Sequence, residues 1–167
     1  WLHNQDFVNQ YMHIWFRGNE GKPLERLRKF SSWTADALYN KYKVDGDINY
    51  LLDMYPDLES EYAAWEGDHR LPSGLYWQED VRDGMEEQIS GGRRKQYARP
   101  TINSYMYGNA MALSEIAKLK GDQNAVEKYN DKAIEIKKLT QDLLWHKDSV
   151  FFETLRKPGE FALVREA

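Results

Sequence analysis

The sequence predicts a mainly α protein built of helical hairpins, with a short β-hairpin near the C-terminus. Three observations predict it. Apolar residues recur at intervals of three and four through most of the chain. The recurring segments come in pairs joined by short glycine-containing turns. Only the last stretch, beyond Trp145, changes to short apolar runs on either side of a Pro-Gly turn.

In "DFVNQYMHIWFR", from Asp6 to Arg17, Phe7, Tyr11, Ile14 and Trp15 mark a first helix, which "GNEGKP" ends. Ser31 or Ser32 can cap a second, in which Trp33, Ala37, Leu38 and Tyr42 share a stripe as far as Gly46. Asp47 is placed to cap a third, which runs through "INYLLDMYPDLESEYAAWE" to about Glu66; Pro56 predicts a kink or a restart there, because its ring cannot join the helical ladder. Between Gly67 and Arg99 the helical period is lost. Gly74, Gly84, Gly91 and Gly92 punctuate a long irregular connection, with one short helical turn expected around Asp83 to Ile89. Pro100 suits the first turn of a helix that continues to Gly121, and a further helix spans Asp122 to about Trp145. "SVFFETL" and "EFALVRE", separated by "RKPG", read as the hairpin.

The two later helix pairs resemble one another. Each has a helix ending in Lys, a Gly-Asp turn and a partner helix closing on Trp, in "NKYKVDGDINYLL…YAAW" and "AKLKGDQNAVEKY…LLW". Repeated helical hairpins build either an open solenoid or a closed toroid, and periodicity alone does not choose between them.

The 167 residues are 41% hydrophobic and 30% charged with a net charge of -4, the balance of one globular domain with a real core. Mild acidity gives phosphate backbones nothing to bind, and "GGRRK" is too short a basic run to make a nucleic-acid footprint. The absence of Cys excludes disulfides and thiolate chemistry while leaving the compartment open. No apolar run approaches the roughly 20 residues that cross a bilayer, so no membrane partner is expected. A start at Trp1 and a stop within a strand are the ends expected of a piece of a longer chain. With 6 Trp, 11 Tyr and 6 Phe, the chain is rich in rings that have a flat apolar face, many with a polar tip, as polyhydroxylated ligands require.

Chemistry is concentrated in "SGLYWQEDVRDGMEEQISGG". Were Asp80 to Glu87 locally helical, Asp80, Asp83 and Glu86 would lie three apart and Arg82 four before Glu86. Tyr76 and Trp77 beside them lower the local dielectric, so one carboxyl can stay protonated while another, paired with Arg82, stays ionised. Glycosidic cleavage needs that division, with a proton donor for the leaving oxygen and a separate carboxylate as base or nucleophile. The plainer reading is a solvated acidic turn with one salt bridge. In "RPTINSYMYG", Asn103 and Tyr105 stand in the first turns of a helix, where capping by Thr101 or Asn103 is the default. The four His have no zinc spacing, "DGDINYLLD" lacks the acidic positions of a calcium loop, and no phosphate loop or nucleophile elbow occurs; no metal or cofactor is expected.

Taken together, "FSSWTADALYNKYKVDGDINYLLDMYPDLESEYAAWE", "GLYWQEDVRDGMEEQISGG" and "RPTINSYMYGNAMALSEIAKLKGD" resemble the six-hairpin glycoside hydrolases related to trehalase, glycoside hydrolase family 63 and mannosylglycerate hydrolase. The similarity runs from about Phe30 to Glu166. It rests on four elements in order: the Trp of "WTADA", a Gly-Met-acid segment, an Asn-containing helix start and a late "VRE". The resemblance implies that residues 1–167 form one partial domain of an (α/α)6 barrel and that the activity is hydrolysis of an oligosaccharide or glycoside, usually with inversion. It implies Glu86 as the general acid within Gly84-Met85-Glu86-Glu87. A Glu replaces the usual Asp of the family and Gln88 stands where Ser is common, and alignment on "DVRDG" gives the role to Asp83 instead. Asn103 and Tyr105 then correspond to sugar-contacting positions, with Trp77 and Trp33 as stacking walls. Arg82 orients a carboxylate or a substrate hydroxyl, and Asp80 contacts substrate or supports the site.

Asp83 and Glu86 stand too close in sequence to supply both carboxyl groups of an inverting pair, which are roughly 6.5–9.5 Å apart. The base is therefore expected from the remainder of the barrel, as the partner of this piece. Two other readings stay open: a helical-repeat interaction module, for which "LKGDQNAVEKYNDKAIEIKKL" has suitable spacing, and an inactive carbohydrate-binding relative. A solenoid has no use for a long acidic, aromatic insertion between helix pairs, whereas a toroid rings its pocket with such loops.

Overall fold

A computed structural model of the chain describes residues 33–79 and 89–164. The expected first helix from Asp6 to Arg17, the residues Asp80, Arg82, Asp83 and Glu86, and the end of "EFALVRE" lie outside the described residues. Within them the chain is mainly helical with a few short antiparallel strands. The helices are α1 (Thr34–Asp45), α2 (Ile48–His69), α3 (Pro100–Lys120) and α4 (Gln123–Leu144).

The same turn joins each pair. Gly46 and Gly121 take left-handed φ values of 73° and 78°, and their N–H groups return to the carbonyls of Tyr42 and Lys118. Asp47 and Asp122 then accept from the amides of Tyr50 and Ala125, each at 3.0 Å, and so cap the helix that follows. Glycine reaches this φ without Cβ strain, and an N-cap carboxylate contributes about 1 kcal/mol. The Gly-Asp repeat seen in the sequence is thus one structural device used twice.

α2 continues through Pro56 and Gly67 to His69, three residues beyond the expected end. Propensity disfavours both residues in a helix interior, but the stripe Leu51, Met54, Tyr55, Leu58, Tyr62 and Trp65 is buried. Burial of that face offsets the lost backbone bond, since tertiary packing supplies most of a helix's stability. α3 is the most enclosed helix: Ile102, Met106, Ala110, Leu113, Ile116 and Ala117 are all at most 1% exposed.

Polar contacts fix the helix directions. The Asn109 side chain on α3 accepts from the amides of Ala35 and Asp36, while further along α1 Tyr39 lies within electrostatic reach of Glu115 and Lys118, so α1 and α3 run the same way. Tyr129 donates to Glu59 at 2.9 Å and Lys132 pairs with Glu66 at 2.5 Å, which sets α4 parallel to α2. Two antiparallel hairpins therefore stand side by side in the same sense, α1 and α3 in one layer and α2 and α4 in the other. Helix pairs stacked in this way occur in open solenoids and closed toroids alike.

The connection from α2 to α3, expected as irregular, contains two strands, β1 (Trp77–Gln78) and β2 (Tyr97–Ala98). The C-terminal segment forms β3 (Trp145–His146), β4 (Phe151–Phe152), β5 (Leu155–Lys157) and β6 (Glu160–Phe161). The expected hairpin is the β5–β6 pair around Pro158-Gly159, with Leu155 opposite Phe161. Phe151 and Phe152 pair instead with His146 and Trp145. β1, β2, β5 and β6 form one antiparallel sheet in that order, which closes the end of the bundle where α1 and α3 begin and α2 and α4 finish.

Candidate functional site

Aromatic residues gather at this end. Trp33, just before α1, is 50% exposed and lies against Tyr105 of α3, with ring centroids 5.0 Å apart at 53°. The pairing follows from Asn109 seating the start of α1 one turn beyond Tyr105. Half of the Trp33 surface is open to solvent, although the residue lies on the apolar stripe of α1 in the sequence.

A second stack is built from Trp65, His69 and Trp77, with centroid separations of 3.9 Å and 4.4 Å. Trp65 and His69 share a helix face at i, i+4, and β1 delivers Trp77 to the outer side of the imidazole. Burial pushes the His69 pKa below its ordinary 6.5, against the opposing pull of Asp68 and Glu79. A group with a depressed folded pKa favours the fold fully above the unfolded value, and stability is lost as pH falls from 6.5 through the folded value. His69→Phe keeps a flat ring in the stack and does not titrate. Its urea midpoint relative to the parent is expected to rise between about pH 7.5 and about pH 5.5; a constant difference would show that His69 is not desolvated.

Asn103 is fully buried. Its Oδ1 accepts from the Tyr76 amide at 2.8 Å, and its Nδ2 donates to the carbonyls of Tyr76 at 2.9 Å and Arg99 at 2.8 Å. This amide joins α3 to the strand that carries Trp77. It does not cap α3, whose N-cap is Arg99 with no side-chain cap bond.

A polar layer lies behind the strands. Gln78, Ser90, Arg99 and Thr154 are each 1% exposed. Arg99 donates to the Gln78 carbonyl, the Ser90 hydroxyl and the Gly91 carbonyl. Sequence reading passed over Arg99 as the last residue of a loop. The available signal was an Arg at the N-cap position directly before Pro100, where neither side-chain capping nor exposure is its natural role. His69 was similarly readable from its i, i+4 spacing to Trp65.

Trp77, Ala98, Leu155 and Phe161 form one register row and so share the opposite face of the sheet. A cavity of about 580 Å³ opens on that face, lined by Leu71, Ala98, Leu143, Leu155 and Phe161 with Asp142, Arg156 and Lys157 among its polar groups. None of the predicted site residues lines it, and Asp142 is already paired with Lys138. Among the described residues no cluster of His, Asp and Glu forms a metal site, and no helix is long and apolar enough to cross a membrane.

Of the predicted site residues, the structure joins Trp33 to Tyr105 and links Asn103 to the residue before Trp77. Asp80, Arg82, Asp83 and Glu86 lie between described stems, and their positions relative to the aromatic residues fall outside the described residues.

The model of the mannosylglycerate hydrolase MGH1-like glycoside hydrolase domain matches residues 1–167. A solved structure named as a sialidase is similar to the chain at 54% sequence identity with a TM-score of 0.91. The match covers 96% of this chain and 15% of that one, so the chain spans under a sixth of its solved relative. No curated protein matches the chain at a significant level.

Proposed function

The chain belongs to the mannosylglycerate hydrolase MGH1-like family of glycoside hydrolase domains, and from that premise we propose that it supplies the acid half of a glycosidase site. In this reading Glu86, with Asp83 as its rival, protonates the leaving oxygen of an oligosaccharide or glycoside. Water attacks from the opposite face with inversion, activated by a base that further chain of the same protein carries. Trp33, Tyr105 and Trp77 stack on sugar rings, while Arg82 and Asp80 orient the substrate or the acid. Asn103 acts one step removed, by holding the strand that bears Trp77.

The observation that carries the proposal is the anchoring of the acidic run. Its stems, Gln78 and Ser90, are pinned at the end of the bundle that presents Trp33 and Tyr105. A helical-repeat interaction module gives no reason to pin such a run there, and an inactive binding relative gives none to keep its carboxylates. The two parallel hairpins fit a toroid, to which the remainder of the barrel is the necessary partner. The name of the 54% identical relative makes sialosides a substrate class to try beside neutral oligosaccharides, although the match covers only 15% of that protein.

Product configuration tests the proposal. In the longest natural polypeptide containing this chain, the first sugar released from an anomerically pure oligosaccharide is expected to have the opposite configuration by NMR. The isolated 167-residue chain is expected to release none. Turnover by that chain alone would remove the need for a second carboxylate elsewhere, and a retained configuration would replace attack by water with a covalent intermediate.

A further inference from the structure

The two ends of the acidic run meet at one buried cation. The Arg99 guanidinium reaches the carbonyl of Gln78 at 3.3 Å on the entry side. On the exit side it reaches the Ser90 hydroxyl and, at 2.7 Å, the carbonyl of Gly91. The exit is held a second time, because Arg156 of β5 donates to the Ser90 carbonyl at 3.0 Å. Tyr97 braces the corner: its ring lies 5.6 Å from the guanidinium carbon and packs against Gly92, where φ is 79° and a Cβ would run into the ring. Asn103 in turn holds the Arg99 carbonyl.

A buried guanidinium is unfavourable unless its donors are filled, and at 1% exposure this one can fill them only from protein. Its planar fork reaches several acceptors in fixed directions, which the single ammonium of lysine cannot do. Three acceptors drawn from both stems therefore fix the separation and angle at which the chain leaves β1 and returns before β2.

We infer that Arg99 is a positioning residue for the glycosidase reaction, setting the place of the run that carries Asp80, Asp83 and Glu86 by clamping its stems. The inference rests on the reading given under Proposed function. Arg99 touches no substrate in this scheme; it acts through the acid, and a general acid displaced by about 1 Å can lose about 10²-fold in rate.

The test is Arg99→Lys in the longest natural polypeptide containing this chain, with amide hydrogen exchange and steady-state kinetics measured on one preparation. Exchange is expected to accelerate in the stems, over residues 78–79 and 89–92, and stay unchanged in α4. Over the same comparison kcat is expected to fall about 10²-fold with KM little changed, because substrate contacts survive while the acid is misplaced. Faster local exchange with parental kcat would overturn the inference, as would a fallen kcat with parental exchange. If Arg99→Lys does not fold, Ser90→Ala removes one acceptor and decides the matter: local loosening with lower kcat supports the clamp, and parental kcat overturns it. Full activity in both Glu86→Gln and Asp83→Asn would sink the acid assignment and the Arg99 inference with it, whereas a slow Glu86→Gln or Asp83→Asn beside parental kcat in Arg99→Lys would overturn the clamp alone.

Discussion

Asn103→Leu is expected to lower the melting temperature by roughly 6–12 °C, at a loss of about 3 kcal/mol. Leucine matches asparagine in bulk, so the change leaves no large cavity. It does strand the Tyr76 amide and the Tyr76 carbonyl, and it leaves the Arg99 carbonyl with only the long bond from the backbone amide of residue 103. A buried polar group left without its partner costs about 1–3 kcal/mol, so the two stranded Tyr76 groups together account for about 3 kcal/mol. Asn103→Asp is expected to be worse at neutral pH. Its second oxygen would face two carbonyls that now receive N–H donors, and the new charge would be desolvated. The measurement also separates two roles for the residue. A clamp lowers the melting temperature and leaves KM nearly unchanged in the folded population, whereas a sugar contact leaves the melting temperature and raises KM. A parental melting temperature in Asn103→Leu would remove the clamp.

The helices were legible because their signals are local. Gly46-Asp47 and Gly121-Asp122 announce a left-handed stop and a capped start whatever surrounds them, and Pro100 announces a first turn. The end of α2 was less so, since Gly67 reads as a stop and only burial of Trp65, three-dimensional information, carries the helix on to His69. β1 and β2 are two residues long and show no alternation. They exist because Ala98 pairs with both Trp77 and Leu155, contacts between parts of the chain that no window spans. For the same reason the C-terminal hairpin was found by its Pro-Gly turn, while the pairing of Phe151 and Phe152 with the end of α4 was not.

Site residues divide along the same line. That Trp33, Tyr105 and Trp77 are aromatic, and so suited to a sugar face, is visible in the residue type. That Trp33 is exposed and Asn103 enclosed depends on Asn109 seating α1 and on a strand arriving from 27 positions away. Arg99 offers only its place before Pro100 as a signal. That both stems of one loop converge on it is a property of the fold.

Glu86→Gln is expected to reduce kcat by about 10²–10⁴-fold on a glycoside with a poor leaving group, in the longest natural polypeptide containing this chain. On a leaving group that departs without a proton the reduction should be small. The reason is specific to a general acid: its contribution is the proton delivered to the departing oxygen, so a group that needs none forgoes little. The pH profile gives an independent reading. The acid works protonated, so activity falls as pH rises through its pKa; a glutamine there removes that alkaline limb and leaves the acidic limb, which belongs to the base. Asp83→Asn serves as the comparison, because Asp83 and Glu86 lie on one short stretch and the same protein cannot use both as its acid. If Asp83→Asn shows the leaving-group dependence and the lost limb, the assignment moves three residues and the mechanism survives. If both variants keep full activity on the poor leaving group, the run from Asp80 to Glu87 is a solvated acidic turn, and the proton must come from outside this chain.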